Sequence, residues 1–267
     1  MNIMEGSPKT KKSLGQHWLT DPASLDAMLE AADVQSSDTV LEVGPGPGAL
    51  TGRLVGHAAH VIAVEFDAEL ARALPVRVPA KNLQVVQQDI LKFDLTMLPL
   101  GYKIAANIPY YLTSNLLRVL CESPNHFSTA ALLVQKEVAQ RVCAKPGDMS
   151  LLSVSVQFYC QATLGKLVPA ALFTPPPKVD SQILQLTYRS EPLFDDVDTR
   201  LFFRLVKAGF SQRRKTLLNS LSAGMRWDKL TTTHVLEAAD IAPSTRAQNL
   251  SLDDWYALYE QTEQANG

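Results

Sequence analysis

The nine residues Lys103-Ile104-Ala105-Ala106-Asn107-Ile108-Pro109-Tyr110-Tyr111 join an apolar run to a side-chain amide, a proline and two aromatic rings. That set suits recognition of an amine carried on a flat base. The run reads as a buried strand, and Pro109, which has no amide hydrogen and holds φ near about −65°, ends it in a rigid turn. The Asn107 amide and the Ile108 carbonyl are then left to face a ligand, with the Tyr110 ring beside them. Acceptors at Asn107 and at the Ile108 or Pro109 carbonyl can take the N–H groups of an exocyclic amine while the ring stacks on the base. Asn and Pro are also ordinary turn residues, so the neighbouring strand ends have to support the reading.

Three earlier strand signals do so. Asp38 to Gly44 is a strand, followed by the turn Gly44-Pro45-Gly46-Pro47-Gly48-Ala49-Leu50-Thr51 and a helix carrying Leu50, Leu54 and Val55. This is the strand, loop and helix of a nucleotide site. A second strand, His60 to Asp67, brings Glu65 to its end, 21 residues beyond Gly44, where a carboxylate suits the two hydroxyls of a ribose. A third, Asn82 to Ile90, ends near Asp89, placed to accept from an adenine amino group. The loop matches the dinucleotide fingerprint G-x-G-x-x-A, which would suggest NAD. Pro45 and Pro47, however, delete two backbone donors where a pyrophosphate would need them. A ligand without phosphates fits better, and carboxylates at Glu42, Glu65 and Asp67 favour a cationic one.

The elements that position these residues follow from apolar periodicity. Asp21 can cap a helix that starts at Pro22 and buries Leu25, Met28 and Leu29. The apolar knot Leu14 to Leu19 before it can pack or close over a ligand. After Tyr111 comes a helix with Leu112, Leu116, Leu117 and Leu120, then a strand from Thr129 to Gln135. Strands alternating with helices mean a doubly wound, mostly parallel sheet. Met149 to Cys160 reads as a buried helix, and Ala162 to Val168 and Ser181 to Tyr188 as strands. The connector Phe173-Thr174-Pro175-Pro176-Pro177-Lys178-Val179-Asp180 is stiff and poor in donors, so Phe173 sits on a rigid arm. Around Ser190-Glu191-Pro192 the α/β pattern gives way to helices. The expected division is a ligand-binding domain at 1–190 and a small helical domain at 191–267.

With 267 residues, 46% of them hydrophobic and 19% charged, the chain can bury a full core. It has no run of 18 apolar residues and no signal-peptide core at Met1 to Gly6, so a cytoplasmic protein without a membrane partner is expected. Cys121, Cys143 and Cys160 read as reduced, buried thiols, and the five histidines lack metal-ligand spacing, so no metal is expected. The formal net charge of −2 argues against a nucleic-acid partner only if charge is spread evenly. Between Arg200 and Arg226 stand seven bases, including Arg213, Arg214 and Lys215, and no acid. Arg200, Arg204 and Lys207 share one helical face. A run of one sign in a chain of net negative charge points to a surface that contacts phosphates. A second basic stretch, Ser7 to Lys12, reads as a tail without order.

Seven segments carry a resemblance, in order along the chain. They are Leu14-Gly15-Gln16-His17-Trp18-Leu19, Glu42-Val43-Gly44-Pro45-Gly46, Val64-Glu65-Phe66-Asp67, Gln88-Asp89, Asn107-Ile108-Pro109-Tyr110, Phe173 to Ser181, and Phe210-Ser211-Gln212-Arg213-Arg214-Lys215-Thr216-Leu217. In them the chain resembles the rRNA adenine N6,N6-dimethyltransferases, most closely the bacterial members that act on two adjacent adenosines near the 3′ end of small-subunit rRNA. The resemblance implies a Rossmann-like class I methyltransferase fold, S-adenosylmethionine as cofactor and the immature 30S particle as partner, with the protein acting as a monomer. His17 and Leu19 would border the cofactor, Gly44 approach its methionine part, Glu65 bind the ribose and Asp89 the adenine amine. Asn107, Pro109 and Tyr110 would form the reaction centre, Phe173 would sandwich the target base against Tyr110, and Arg213, Arg214 and Lys215 would contact rRNA. The family usually has Asn-Phe where this chain has His17-Trp18. Related macrolide-resistance enzymes modify large-subunit rRNA, and an rRNA-binding assembly factor is a third possibility. The Pro-rich arm and the C-terminal region look more like the small-subunit enzymes.

Overall fold

A computed structural model of the protein describes residues 15–266, so the basic stretch Ser7 to Lys12 and Leu14 lie outside the described residues. Strand β1 is Trp18–Leu19 and helix α1 is Pro22–Ala31. Asp21 caps α1, its Oδ2 accepting the Ser24 amide at 2.8 Å, and Leu25, Met28 and Leu29 are buried. The chain then alternates through β2 (Thr39–Val43), α2 (Ala49–Leu54), β3 (His60–Glu65), α3 (Ala68–Arg77), β4 (Leu83–Gln87), β5 (Lys103–Asn107), α4 (Thr113–Glu122) and β6 (Thr129–Gln135). Strands β4, β3, β2, β5 and β6 lie side by side in that order, all parallel. The two central strands are apolar because both faces of the sheet are covered: Val40, Leu41, Ile104 and Ala105 are fully buried. The strand order reverses between β2 and β5, so the crevice beyond their carboxyl ends is a topological switch point, where ligands bind in open α/β sheets.

The sheet departs from the parallel pattern at one side. After α5 (Lys136–Val142) and α6 (Leu151–Tyr159), β7 (Cys160–Val168) forms the sheet edge, and β9 (Ser181–Tyr188) enters antiparallel between β6 and β7. A parallel return would need a crossover of a dozen or more residues, usually helical, and the Pro-rich connector cannot form that helix. It contributes instead β8 (Phe173–Thr174), which pairs antiparallel with β1, Trp18 opposite Thr174 and Leu19 opposite Phe173. The ladder between β7 and β9 breaks between Leu164 and Leu167.

The chain forms two compact units, one running up to Ala139 and including Cys160–Tyr188, the other made of Gln140–Tyr159 and everything from Arg189 onward. The division expected after residue 190 lies close to the second junction. Helix α6, which that division assigns to the first domain, packs instead in the second unit, because Val154 and Phe158 share a core with Phe202, Leu205 and Leu236. That unit is completed by α7 (Thr199–Phe210), α8 (Leu217–Met225), α9 (Lys229–Ala238) and α10 (Leu252–Asn266). Arg200, Arg204 and Lys207 are exposed on α7. Cys121 and Cys160 are buried free thiols with their sulfurs 4.0 Å apart, whereas Cys143, expected to be buried, is only half-buried near the end of α5.

Inside the helical unit, Gly209 of α7 lies against Trp255 of α10, and a methyl group there would stand 2.4 Å from the indole ring. Gly209→Ala is therefore expected to lower stability by about 1–3 kcal/mol through overpacking. Chemical denaturation reads this as a lower midpoint, and an unchanged midpoint would mean that α7 and α10 do not pack this closely.

Candidate active site

At the carboxyl ends of β2, β3, β4 and β5 lies a cavity of about 320 Å³, within the range of small-molecule sites. His17, Leu19, Gly44, Glu65, Asp89, Asn107, Pro109, Tyr110 and Phe173 all line it, whereas Asp67, expected to add to the ligand's acidic surroundings, does not line it and caps α3 instead. Arg213, Arg214 and Lys215 do not line it either; they occupy an exposed turn between α7 and α8 in the helical unit.

The Gly-rich loop shapes one wall. Gly44 adopts φ +66°, a conformation natural to glycine, and a Cβ built on it would meet nothing within 4 Å, so the loop backbone borders open space. Its amide donates to the Val64 carbonyl at 3.0 Å, tying the turn to β3. Glu65 then fixes the loop from below. Its Oε2 accepts the Gly46 amide at 3.1 Å and its Oε1 the Asp67 amide at 2.8 Å. Burial raises the Glu65 pKa, partly offset by those amides. Each oxygen keeps a further lone pair for a ligand hydroxyl. Asp89 is half-buried; its Oδ1 accepts the Leu91 amide at 3.0 Å, and Oδ2 stays available.

The amide of Asn107 is oriented by the chain itself. Its Nδ2 donates to the His17 carbonyl at 3.1 Å. A carbonyl can only accept, so the amide nitrogen must point there and Oδ1 is the atom left as acceptor. His17 thus acts through its backbone on Asn107, while its ring nitrogen Nδ1 bonds the Pro175 carbonyl at 2.7 Å and its ring stacks on Tyr110 with centroids 6.0 Å apart. Tyr110 is half-buried, its hydroxyl 2.9 Å from Ser181 Oγ, and burial raises its pKa. The Pro109 carbonyl already accepts the Leu112 amide at 2.9 Å, so Ile108 offers the freer of the two carbonyls considered. Phe173 is buried and borders the cavity from β8.

Four further residues belong to the site. Trp18 lies over the loop, close enough that a Cβ on Gly46 would stand 2.7 Å from its ring. Phe66 and Tyr111, 60% and 65% exposed, are the strongly exposed aromatics among the described residues, and both rim this cavity. For Tyr111 the doubled aromatic after Pro109 is the signal in the sequence. Glu42, on the central strand, is 1% exposed, and among the described residues its Oε2 has no hydrogen-bond partner. Burial, with Glu65 adding repulsion, pushes its carboxyl up to about 8; the hydroxyl and backbone amide of Thr51 lie near enough to offset part of this, although the hydroxyl is not in hydrogen-bonding geometry.

Comparison with known proteins shows the family. Residues 7–264 match the family described as ribosomal RNA adenine dimethylase. A Ribosomal RNA small subunit methyltransferase A from Dehalococcoides mccartyi (strain CBDB1) is 42% identical over 261 residues, covering 96% of this chain and 90% of the relative. The protein of the same name from Enterococcus faecalis is 39% identical, covering 95% and 90%. Among solved structures, a dimethyladenosine transferase from Plasmodium falciparum superposes with a TM-score of 0.81 at 29% identity, covering 93% of this chain and 98% of that one. The 23S rRNA methyltransferase ErmE gives 0.74 at 27% identity, covering 92% and 100%.

The raised pKa of Glu42 carries a sign for stability. The folded protein holds this proton up to about pH 8, whereas the unfolded chain releases it near 4.5, so between those values the folded state binds more protons and unfolding becomes easier as pH rises. The ligand-free protein is expected to lose stability across that window, and Glu42→Gln to flatten the loss. Denaturation midpoints measured from pH 5 to 9 check this, and parallel curves for the two proteins would refute it.

Proposed function

The chain belongs to the ribosomal RNA adenine dimethylase family, and on that premise we propose how it works. It transfers methyl groups from S-adenosylmethionine to N6 of two adjacent adenosines near the 3′ end of small-subunit rRNA. It acts as a monomer on the immature small ribosomal particle, in the cytoplasm. The observation that carries this reading is Asn107, whose amide is fixed by His17 so that Oδ1 is the free acceptor at the switch point beside the Gly44 loop. Relatives named for the small subunit are 39% and 42% identical, against 27% for the 23S rRNA enzyme, which favours the small-subunit substrate.

The residues present suit the cofactor. Open space beside Gly44 admits its methionine part, Glu65 and Asp89 keep lone pairs for ribose hydroxyls and the adenine amine, and the acids around the loop favour a cation. His17 and Leu19 border the same space. When bound, S-adenosylmethionine supplies an electrophilic methyl group on a sulfonium. The protein's part is to present the acceptor nitrogen. The N6 lone pair of adenine is delocalised into its ring, and acceptors at Asn107 Oδ1 and the Ile108 carbonyl, aimed at the N–H groups, favour the pyramidal form that can attack. Tyr110 and Phe173 hold the base extruded from its stack, and Pro109 keeps the turn rigid. The nitrogen's proton becomes acidic once it is alkylated, so positioning supplies much of the acceleration and no strong base is required. Arg213, Arg214 and Lys215 contact rRNA phosphates from the helical unit.

Incubation with methyl-labelled S-adenosylmethionine and small-subunit particles from cells lacking the protein tests the reading. Mass analysis of the digested rRNA should find N6,N6-dimethyladenosine; particles that bind the protein and gain no label would reduce it to an assembly factor. Asn107→Ala should lower turnover by something on the order of 10²-fold or more with the fold intact, and turnover equal to wild type would leave Asn107-Ile108-Pro109-Tyr110 as a plain turn.

The basic turn is tested by salt. Each lost phosphate contact should flatten the plot of log affinity against log salt by roughly 0.7–0.9. Replacing Arg213, Arg214 and Lys215 together by alanine should weaken particle binding and reduce that slope while cofactor affinity is kept. An unchanged slope would make the three residues an ordinary solvated surface.

A further inference from the structure

We propose that Glu42 couples cofactor binding to the loss of a proton: its carboxyl group is neutral in the ligand-free cavity and ionises to face the positive charge of the bound ligand. This rests on the methyltransferase reading above, since it requires a cationic ligand in this cavity. Glu42 sits on the central strand β2, at the cavity wall, two residues before the open turn at Gly44. Its side chain is 1% exposed and its Oε2 is unpartnered among the described residues, whereas both oxygens of the neighbouring Glu65 are already held by backbone amides. A buried carboxylate whose nearby donors, the Thr51 hydroxyl and backbone amide, offset only part of the cost of its burial is poorly placed as an ion until a ligand supplies the opposite charge.

The groups around Glu42 do not supply that charge. In register beside it are Ala63 of β3 and Ala105 of β5, and the nearby group on α2 is the neutral Thr51. The titratable groups sharing the cavity are Glu65, Asp89, His17, Tyr110 and Tyr111. Of these Glu65 acts on Glu42, by repulsion, and the His17 ring nitrogen Nδ1 is engaged by Pro175. Burial and that repulsion push the Glu42 carboxyl up to about 8 in the ligand-free protein. A cation drawn close to Oε2 stabilises the ionised form, so the proton leaves as the ligand enters. By linkage the affinity must then rise with pH, by up to about tenfold per unit, and level off above the ligand-free value.

Calorimetric titration of the full chain with S-adenosylmethionine decides the matter. Done at about pH 6.5, below the range of the ligand's own α-amino group, in two buffers of different ionisation enthalpy, it counts protons directly. Wild type should release close to one proton per ligand, and its affinity should climb between pH 6 and 8. Glu42→Gln should release markedly fewer protons and show a flatter pH profile. Wild-type binding with no proton release overturns the proposal without any variant, as does a Glu42→Gln protein that releases as many protons as wild type. Failure of wild type to bind S-adenosylmethionine at all would instead overturn the functional reading, and this proposal with it.

Discussion

Parallel strands laid side by side end at the same edge of their sheet, and here four of them end close to a residue able to bind a polar ligand. β2 runs into Gly44, β3 ends at Glu65, β4 leads to Asp89 and β5 ends at Asn107. Their registers, Val43 opposite Val64 and Val64 opposite Val86, with Glu42 opposite Ala105, hold these ends level. A slip of one residue would turn every side chain of a strand to the other face of the sheet. The ladders that hold the core thus also fix the spacing of the site.

Gathering acids at one edge has an electrostatic cost that the fold meets unevenly. Glu65 is supplied with two backbone amides and so has partners in its ionised form. Glu42, deeper on the central strand, has none at Oε2 among the described residues. The proline-bearing loop contributes to the difference, since Pro45 and Pro47 bring no amide hydrogens to that wall. The same prolines make the loop poor at holding phosphate.

Much of this was legible in the chain. Strands at 129–135 and 181–188 have the bounds their apolar runs suggest, and Asp21 caps α1 as its place before Pro22 implies. Strand ends are legible because a buried run stops abruptly at Gly, Pro or a carboxylate. Pairings between distant segments leave no such mark. The two-residue ladder of β1 with β8 joins Trp18 to Thr174, and no periodicity extends over so short a strand. The roles of His17 were hidden for the same reason: a backbone carbonyl that orients Asn107 is common to every residue type. Helix α6 was recognisable as a buried helix, but its companions, Phe202 and Leu236, lie far along the chain, and local sequence does not say which core a helix joins.

Strand β7 closes the sheet on its antiparallel side, and among the described residues its outer row of backbone groups has no neighbouring strand. A long, flat, apolar edge of that kind would be a template for another chain's strand. This one carries exposed Leu164 and Leu167, yet between them the ladder is broken and the exposed Lys166 intervenes. A bulged strand twists away from flatness, and an incoming strand would have to bury the lysine charge or lose its register. The irregularity at Gly165 and Lys166 therefore works as a guard against aggregation, letting the sheet end in solvent.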